Sequence, residues 1–293
     1  MRILICSDGM PASSPATRVG GLLANACRAE TVLLGIAEKP EDEHPLRQAL
    51  DKEAQSLQAS GIRPTVTVLA GDPILQILNE TSTNAYDLVI IGAQRKRNSG
   101  LYWRSEKTYE VIKAIAPPVL AAIGECEQLN RFLVCTGGRE FIEDAVQLTG
   151  KFAAALGATV TLLHVMAEPP AMYADLVRLE EDLDRLLESG SELGLNLRKQ
   201  KESLERLGVT VEVRIRHGIV VDEVFAEART GEHNLIVTGS SQGRGMVQHY
   251  FMGNLTRSIL NRANCPVLVA RSKSAQGRGI WQIFKRAFGP TPE

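Results

Sequence analysis

The chain of 293 residues is long enough for two domains of ordinary size, at roughly 100–200 residues each. Its 33 basic and 34 acidic residues nearly cancel, which excludes a global electrostatic drive toward nucleic acid or an acidic membrane. Hydrophobic residues make up 44% of the chain, yet no apolar run approaches the ~20 residues of a membrane helix. The start MRILICSDG lacks a signal-peptide core, and the five cysteines show no CxxC pair. These features lead us to expect a folded protein of the reducing cytoplasm.

Read in chain order, RILICSDG (Arg2–Gly9) is a short aliphatic run that ends in a glycine-containing turn. A helical stretch with small residues follows (Pro15–Ala29), then a second apolar run, TVLLGIAE (Thr31–Glu38). After an amphipathic region come TVTVLAGDP (Thr65–Pro73), YDLVIIGA (Tyr86–Ala93), a loop and helix, and the Pro-bounded run APPVLAAI (Ala116–Ile123). The polar stretch GECEQLN (Gly124–Asn130) then interrupts the pattern. Beyond it the order recurs: RFLVCTGG (Arg131–Gly138), a helix (Phe141–Leu156), TVTLLHVMAE (Thr159–Glu168), VTVEVRIRHG (Val209–Gly218), HNLIVTGS (His233–Ser240) and NCPVLVAR (Asn264–Arg271).

Near-continuous apolar runs flanked by helices are the signature of buried parallel strands. Each half therefore reads β-α-β-α-β-α-β-α-β. The expected fold class is α/β, with two tandem five-stranded parallel sheets of Rossmann-like form and helices on both faces. The expected domains are 1–127 and 128–272, followed by a basic and aromatic tail, 273–293. The second half carries an expanded connection at Ala174–Leu207, where Leu176, Leu179, Leu183, Leu186 and Leu187 lie at helical spacing. Gly190 and Gly194 are expected to split it into two helices.

The element order, the Asp8-Gly9 turn, the GDP at Gly71–Pro73, the DLVIIG strand and GNLTRSILNRANCPVLVAR (Gly253–Arg271) together resemble the universal stress protein family, tandem type. The resemblance covers nearly the whole chain, twice. It implies the adenine nucleotide alpha hydrolase-like form of the fold. It also implies that the halves pair through their last strands, Val119–Ile123 against Val267–Ala270, about a pseudo-twofold. Family members that bind ATP carry a G-x2-G-x9-G-[S/T] loop between the fourth strand and the last helix, and an Asp after the first strand. Glycines there let backbone N–H groups approach phosphate oxygens, and the helix dipole assists.

In the second half the loop reads Gly239-Ser240-Ser241-Gln242-Gly243, then nine residues, then Gly253-Asn254. The first gap has three residues instead of two, and Asn254 stands in place of Ser or Thr, though its amide can still donate. Arg244 and His249 in the spacer could add charge. The Asp position is Gly137, in Thr136-Gly137-Gly138. The first half keeps Asp8 but has Gln94-Arg95-Lys96-Arg97 where the loop would run, and Ser105-Glu106 in place of Gly253-Asn254. The resemblance thus assigns ATP or another adenine nucleotide to the second half only, at Gly239, Ser240, Gly243, Gly253, Asn254, Thr136 and Gly137. A nucleotide-binding module is one reading. A structural protein with a vestigial site, or a weak ATPase, are the others.

No catalytic constellation emerges. His164 lies within a strand, and no HxH, HExxH, GxSxG or GxxxxGK[ST] spacing appears, so no metal or nucleophile is indicated. Cys6 and Cys135 occupy equivalent strand ends and read as small core residues. The tail places Ile280, Phe284 and Phe288 on one helical face beside Trp281, with Lys285 and Arg286 opposite. It is expected to dock on its own domain; a membrane surface or a partner protein is the alternative. A homo-oligomer or a separate protein partner is compatible with the sequence, and nucleic acid is not expected.

Overall fold

The computed structural model describes residues 1–10, 14–93, 106–137, 143–167, 183–239, 241–242, 250–251 and 253–271. In the first half the elements are β1 (Arg2–Cys6), α1 (Ser14–Cys27), β2 (Glu30–Ala37), α2 (Glu43–Ala59), β3 (Thr65–Ala70), α3 (Pro73–Thr83), β4 (Leu88–Gly92), α4 (Glu106–Ala114) and β5 (Val119–Ala122). The second half gives β6 (Arg131–Cys135), α5 (Glu143–Leu156), β7 (Thr159–Met166), two helices α6 (Leu183–Glu188) and α7 (Glu192–Glu205), and β8 (Val211–His217). It continues through α8 (Val220–Thr230), β9 (Leu235–Gly239), a small hairpin β10 (Ser241–Gln242) and β11 (Tyr250–Phe251), α9 (Asn254–Arg262) and β12 (Val267–Ala270).

Every strand but those of the hairpin joins one ten-stranded sheet, in the order β3-β2-β1-β4-β5-β12-β9-β6-β7-β8. The two five-stranded sheets expected from the sequence are thus continuous. Pairing within each half is parallel, whereas β5 and β12 meet antiparallel, with Val119 opposite Val269 and Leu120 opposite Leu268. Both strands are buried on both faces, which is why their apolar runs show no alternation. The pairing consumes two edges that would otherwise be open to other chains. Gly124, just past β5, is at φ +67°, and a Cβ there would fall 2.3 Å from the Asn264 carbonyl oxygen. The junction therefore requires glycine, for both backbone and space.

Helices cover both faces. One apolar cluster lies beneath α1, α2, α5 and α7, and a second beneath α3, α4, α8 and α9. Contacts between the halves extend beyond the strands. Helix α1 packs on α5, Tyr109 of α4 donates to Asn261 of α9, and Arg257 stacks 5.8 Å from the Tyr109 ring. The buried Arg271 donates to the Ile112 carbonyl.

The described part of the expanded connection, from Leu183 onward, holds two helices, and the expected role of one of its glycines is corrected. Gly190 lies in the break, whereas Gly194 sits in the first turn of α7, where it donates to the capping Ser191 hydroxyl. A Cβ on Gly194 would come within 2.1 Å of the Leu186 carbonyl. Its role is close approach of α6 and α7, not helix termination.

Outside the expanded connection the repeat is nearly exact in length. Residues of β1, α1 and β2 have counterparts in β6, α5 and β7, with Cys6 matching Cys135 and Asp8 matching Gly137. Pro73–Thr83 and Leu88–Gly92 match Val220–Thr230 and Leu235–Gly239, and Glu106–Ala114 matches Asn254–Arg262.

Candidate functional site

In an open α/β sheet, ligands bind beyond the carboxyl ends of the strands where the strand order reverses. In the second half that point lies between β6 and its neighbour β9. Strand β6 runs out at Thr136 and Gly137. The Thr136 amide donates to the Leu163 carbonyl at 2.9 Å, continuing the ladder one residue beyond the strand. Its carbonyl accepts from His164 Nδ1 at 2.9 Å, which makes His164 a structural partner of this turn. Thr136 is buried, and Gly137 emerges into solvent.

Strand β9 ends at Gly239, whose carbonyl accepts from the Thr256 hydroxyl at 3.3 Å. Thr256 also pairs with the Thr238 hydroxyl at 3.1 Å. These two buried threonines tie the first turn of α9 to the end of β9, and the sequence reading missed them. The signal for Thr256 was available: it lies two residues into the helix that follows the glycine loop.

Gly253 is the N-cap of α9, exposed, at φ −57° and ψ 158°, and Asn254 is the first helical residue, also exposed. The first-turn amides of any helix lack intrahelical acceptors, and the N-cap Gly253 has no side chain to cap them. No acidic residue lies in that turn, while Arg262 occupies the last, so the positive end of the helix dipole meets no local carboxylate. Gly253 and Gly137 both lie outside the left-handed region, and a Cβ at either would meet no described residue within 4 Å. Backbone strain therefore accounts for neither glycine. Ser240, Gly243, Arg244 and His249 lie outside the described residues. Among the described residues nearby, Ser241 pairs antiparallel with Phe251 and Gln242 with Tyr250, and α4 of the first half contacts β11.

The equivalent place in the first half is built differently. Asp8 Oδ1 accepts from the Met10 amide at 2.9 Å. The Ser7 hydroxyl donates to Glu53 Oε1 at 2.8 Å, and Thr17 donates to Glu53 Oε2 at 2.5 Å. Gly9, at φ +70°, lies so close to α2 that a Cβ would stand 2.7 Å from Ala49 Cβ. Glu106 begins α4 where Asn254 begins α9. Arg95, Lys96, Arg97 and Ser105 lie outside the described residues. The aspartate and the open helix start thus belong to different halves.

Neither strand-end cysteine is activated. Desolvation pushes Cys6 and Cys135 up to about 12, with Glu80 adding to the first and Cys265 to the second. Both stay protonated at neutral pH. Among the described residues, no three His, Cys, Asp or Glu side chains come together as a metal site. Nor, among them, is any helix long and apolar enough to cross a membrane. The tail, 272–293, lies outside the described residues.

Comparison with known proteins adds the following. The family model described as the universal stress protein family matches residues 128–271. No curated protein sequence matches the chain. Among solved structures, a universal stress protein from Archaeoglobus fulgidus DSM 4304 is 19% identical, with a TM-score of 0.65 over 92% of this chain and 98% of its own. A Pseudomonas aeruginosa UCBPP-PA14 protein, described under the same family name, is 15% identical with a TM-score of 0.70, covering 94% of each chain. A protein of unknown function from Pseudomonas aeruginosa PAO1 gives 15%, 0.69 and 94% of each chain. At such identities these neighbours establish the two-half fold.

Proposed function

We propose, because this chain belongs to the universal stress protein family through residues 128–271, that it is a tandem stress-response binding module with one adenine-nucleotide site, in its second half. It acts in the cytoplasm through ligand-dependent contacts with other proteins and not through turnover. The observation that carries this reading is Gly253. Its backbone is open to any residue and no described residue stands within 4 Å of where a Cβ would lie, so the described structure gives no reason for glycine. Close approach of a phosphate oxygen to the start of α9 supplies one. Asn254 adds an amide donor, and Thr136 with Gly137 forms the opposite wall. The missing carboxylate at Gly137 makes the affinity low.

The test is to denature the purified protein, look for released adenine nucleotide by mass spectrometry, and titrate the intact protein with ATP and ADP by calorimetry. Saturable binding is expected, weakened about tenfold or more by Gly253→Glu, which puts a carboxylate at the helix start. Binding lost on changing Asp8 or Glu106 instead would move the site to the first half. A second reading, an interaction protein with a vestigial site, is favoured by Gly137 itself. It predicts neither released nucleotide nor binding heat. Steady ADP release that disappears with Gly253→Glu would make the protein a weak ATPase.

A further inference from the structure

At the opposite end of the same sheet, where β6, β7 and β8 begin, the second half forms an open cleft of about 580 Å³. That volume lies within the roughly 300–1,000 Å³ typical of small-molecule sites. Its floor carries Thr161, Arg214 and Arg216, and its wall Glu227 and His233, with Arg131 at one side. The buried His233 ring is held at both nitrogens. Nδ1 donates to the Glu227 carbonyl at 3.2 Å, and Nε2 accepts from the Thr161 hydroxyl at 2.9 Å.

The first half serves as an internal control. Register and length match His233 to Tyr86, Thr161 to Val32, Arg214 to Thr67, Arg216 to Leu69, Glu227 to Glu80 and Arg131 to Arg2. There the Tyr86 ring is buried in an apolar cluster with Val32 and Leu69. Its hydroxyl donates to Glu80 at 2.6 Å, and Arg2 stacks 4.8 Å from the ring centroid. In the second half the two apolar neighbours Val32 and Leu69 are replaced by Thr161 and Arg216, and the ring that filled the space has become a smaller one. Charge on β8 alone would be explained by its place at the sheet edge, where like charges discourage pairing with other chains. That explanation does not reach Thr161 and His233, which lie inside, behind the edge.

Among the lining residues three arginines face two glutamates, Glu212 and Glu227. Arg216 is held in place by Glu227 at 2.7 Å, Glu223 at 3.2 Å and the Thr230 hydroxyl. Arg131 and Arg214 are about half exposed, and their partners, Glu232 at 3.4 Å and Glu212 at 2.6 Å, are more exposed still. Solvent-exposed pairs of this kind are worth ~0–1 kcal/mol and exchange readily for another oxyanion. Planar guanidinium forks suit carboxylate and phosphate oxygens. We propose that this cleft is a second binding site, for a small polar molecule that presents an oxyanion to Arg131 and Arg214.

The experiment titrates the intact protein at low salt with inorganic phosphate and, separately, with succinate, read by calorimetry and by the histidine ring resonances. His233→Tyr rebuilds the first-half arrangement, since Glu227 and Arg131 stand where Glu80 and Arg2 hold the tyrosine. Arg214→Thr copies Thr67. Saturable binding of at least one anion is expected, shifting the His233 resonances and weakened about tenfold or more by either substitution, but unaltered by Gly253→Glu. Binding of phosphate alone assigns a phosphorylated ligand, and of succinate alone a carboxylated one. The proposal is overturned if neither anion binds saturably, or if binding survives both cleft substitutions. Phosphate binding that only Gly253→Glu removes belongs to the glycine loop and likewise overturns it, leaving the nucleotide reading intact.

Discussion

Burial holds the His233 ring below the usual histidine pKa of 6.5, partly offset by its bond to the Glu227 carbonyl and by nearby carboxylates. A histidine with a depressed folded-state pKa binds its proton more readily in the unfolded chain. Stability from this residue is therefore full above about 6.5, falls as the pH drops below it, and levels off beneath the folded-state value. Thermal melts between pH 8 and pH 5 should show that loss, and His233→Tyr should flatten its share of the curve. Gly137 makes a separate prediction. Its backbone accepts a side chain and no described residue stands within 4 Å of where a Cβ would lie, so Gly137→Asp should fold normally. One hydrogen bond to a charged group is worth about 1.5–3 kcal/mol, so ATP binding should tighten about tenfold or more. Unchanged affinity in that variant would mean that the ligand does not reach the end of β6.

Among the elements, α3 and α8 are the same helix with different starts. Asp72 caps α3 by accepting from the Leu75 amide at 2.9 Å, at φ −68° and ψ 126°. Its counterpart Ile219 has nearly the same backbone, φ −76° and ψ 115°, but no capping side chain, and it is 71% exposed. Ile219→Asp should stabilise the protein by about 0.5–2 kcal/mol, read from denaturant midpoints, and no change would mean that the cap geometry is not reached. The elements themselves were legible in the sequence because the strands are continuous apolar runs: LVIIG and LIVTG stand out without any alternation to decode. The order of those runs also revealed the repeat. What stayed hidden needed three-dimensional register. Nothing local marks His233 as the residue that opens a cavity; only its match to Tyr86 does, and that match is clear once the strands are aligned. The β10–β11 hairpin was hidden because two-residue strands in a polar loop carry no periodic signal. Gly194 was misread because a glycine allowing close helix approach looks, in sequence, like one that ends a helix. Of the proposed site, Gly239, Gly253 and Asn254 were named from the loop spacing and Thr136 and Gly137 from the family resemblance, whereas Thr238 and Thr256 act through hydrogen bonds that spacing does not encode.

For the whole molecule, the seam between β5 and β12 joins the halves into one sheet. Gly124→Ala should weaken it, since a left-handed non-glycine costs about 1–3 kcal/mol before the clash with Asn264 is counted. A lower melting temperature with the two halves separating in hydrogen exchange is the expected result, and an unchanged melt would count against this account of the junction. The short link through Gly124–Asn130 also alters the statistics of assembly. Two separate subunits meeting along such a strand come apart on dilution. Tethered halves do so only when the chain unfolds, because each sees its partner at a fixed effective concentration. Subunits encoded by one sequence must also change together, on both sides of their twofold. Here each side is written separately, so aspartate could persist at position 8 while glycine occupies 137, and tyrosine at 86 while histidine occupies 233. Every copy of the chain then carries the two versions in a one-to-one ratio that no expression level can alter.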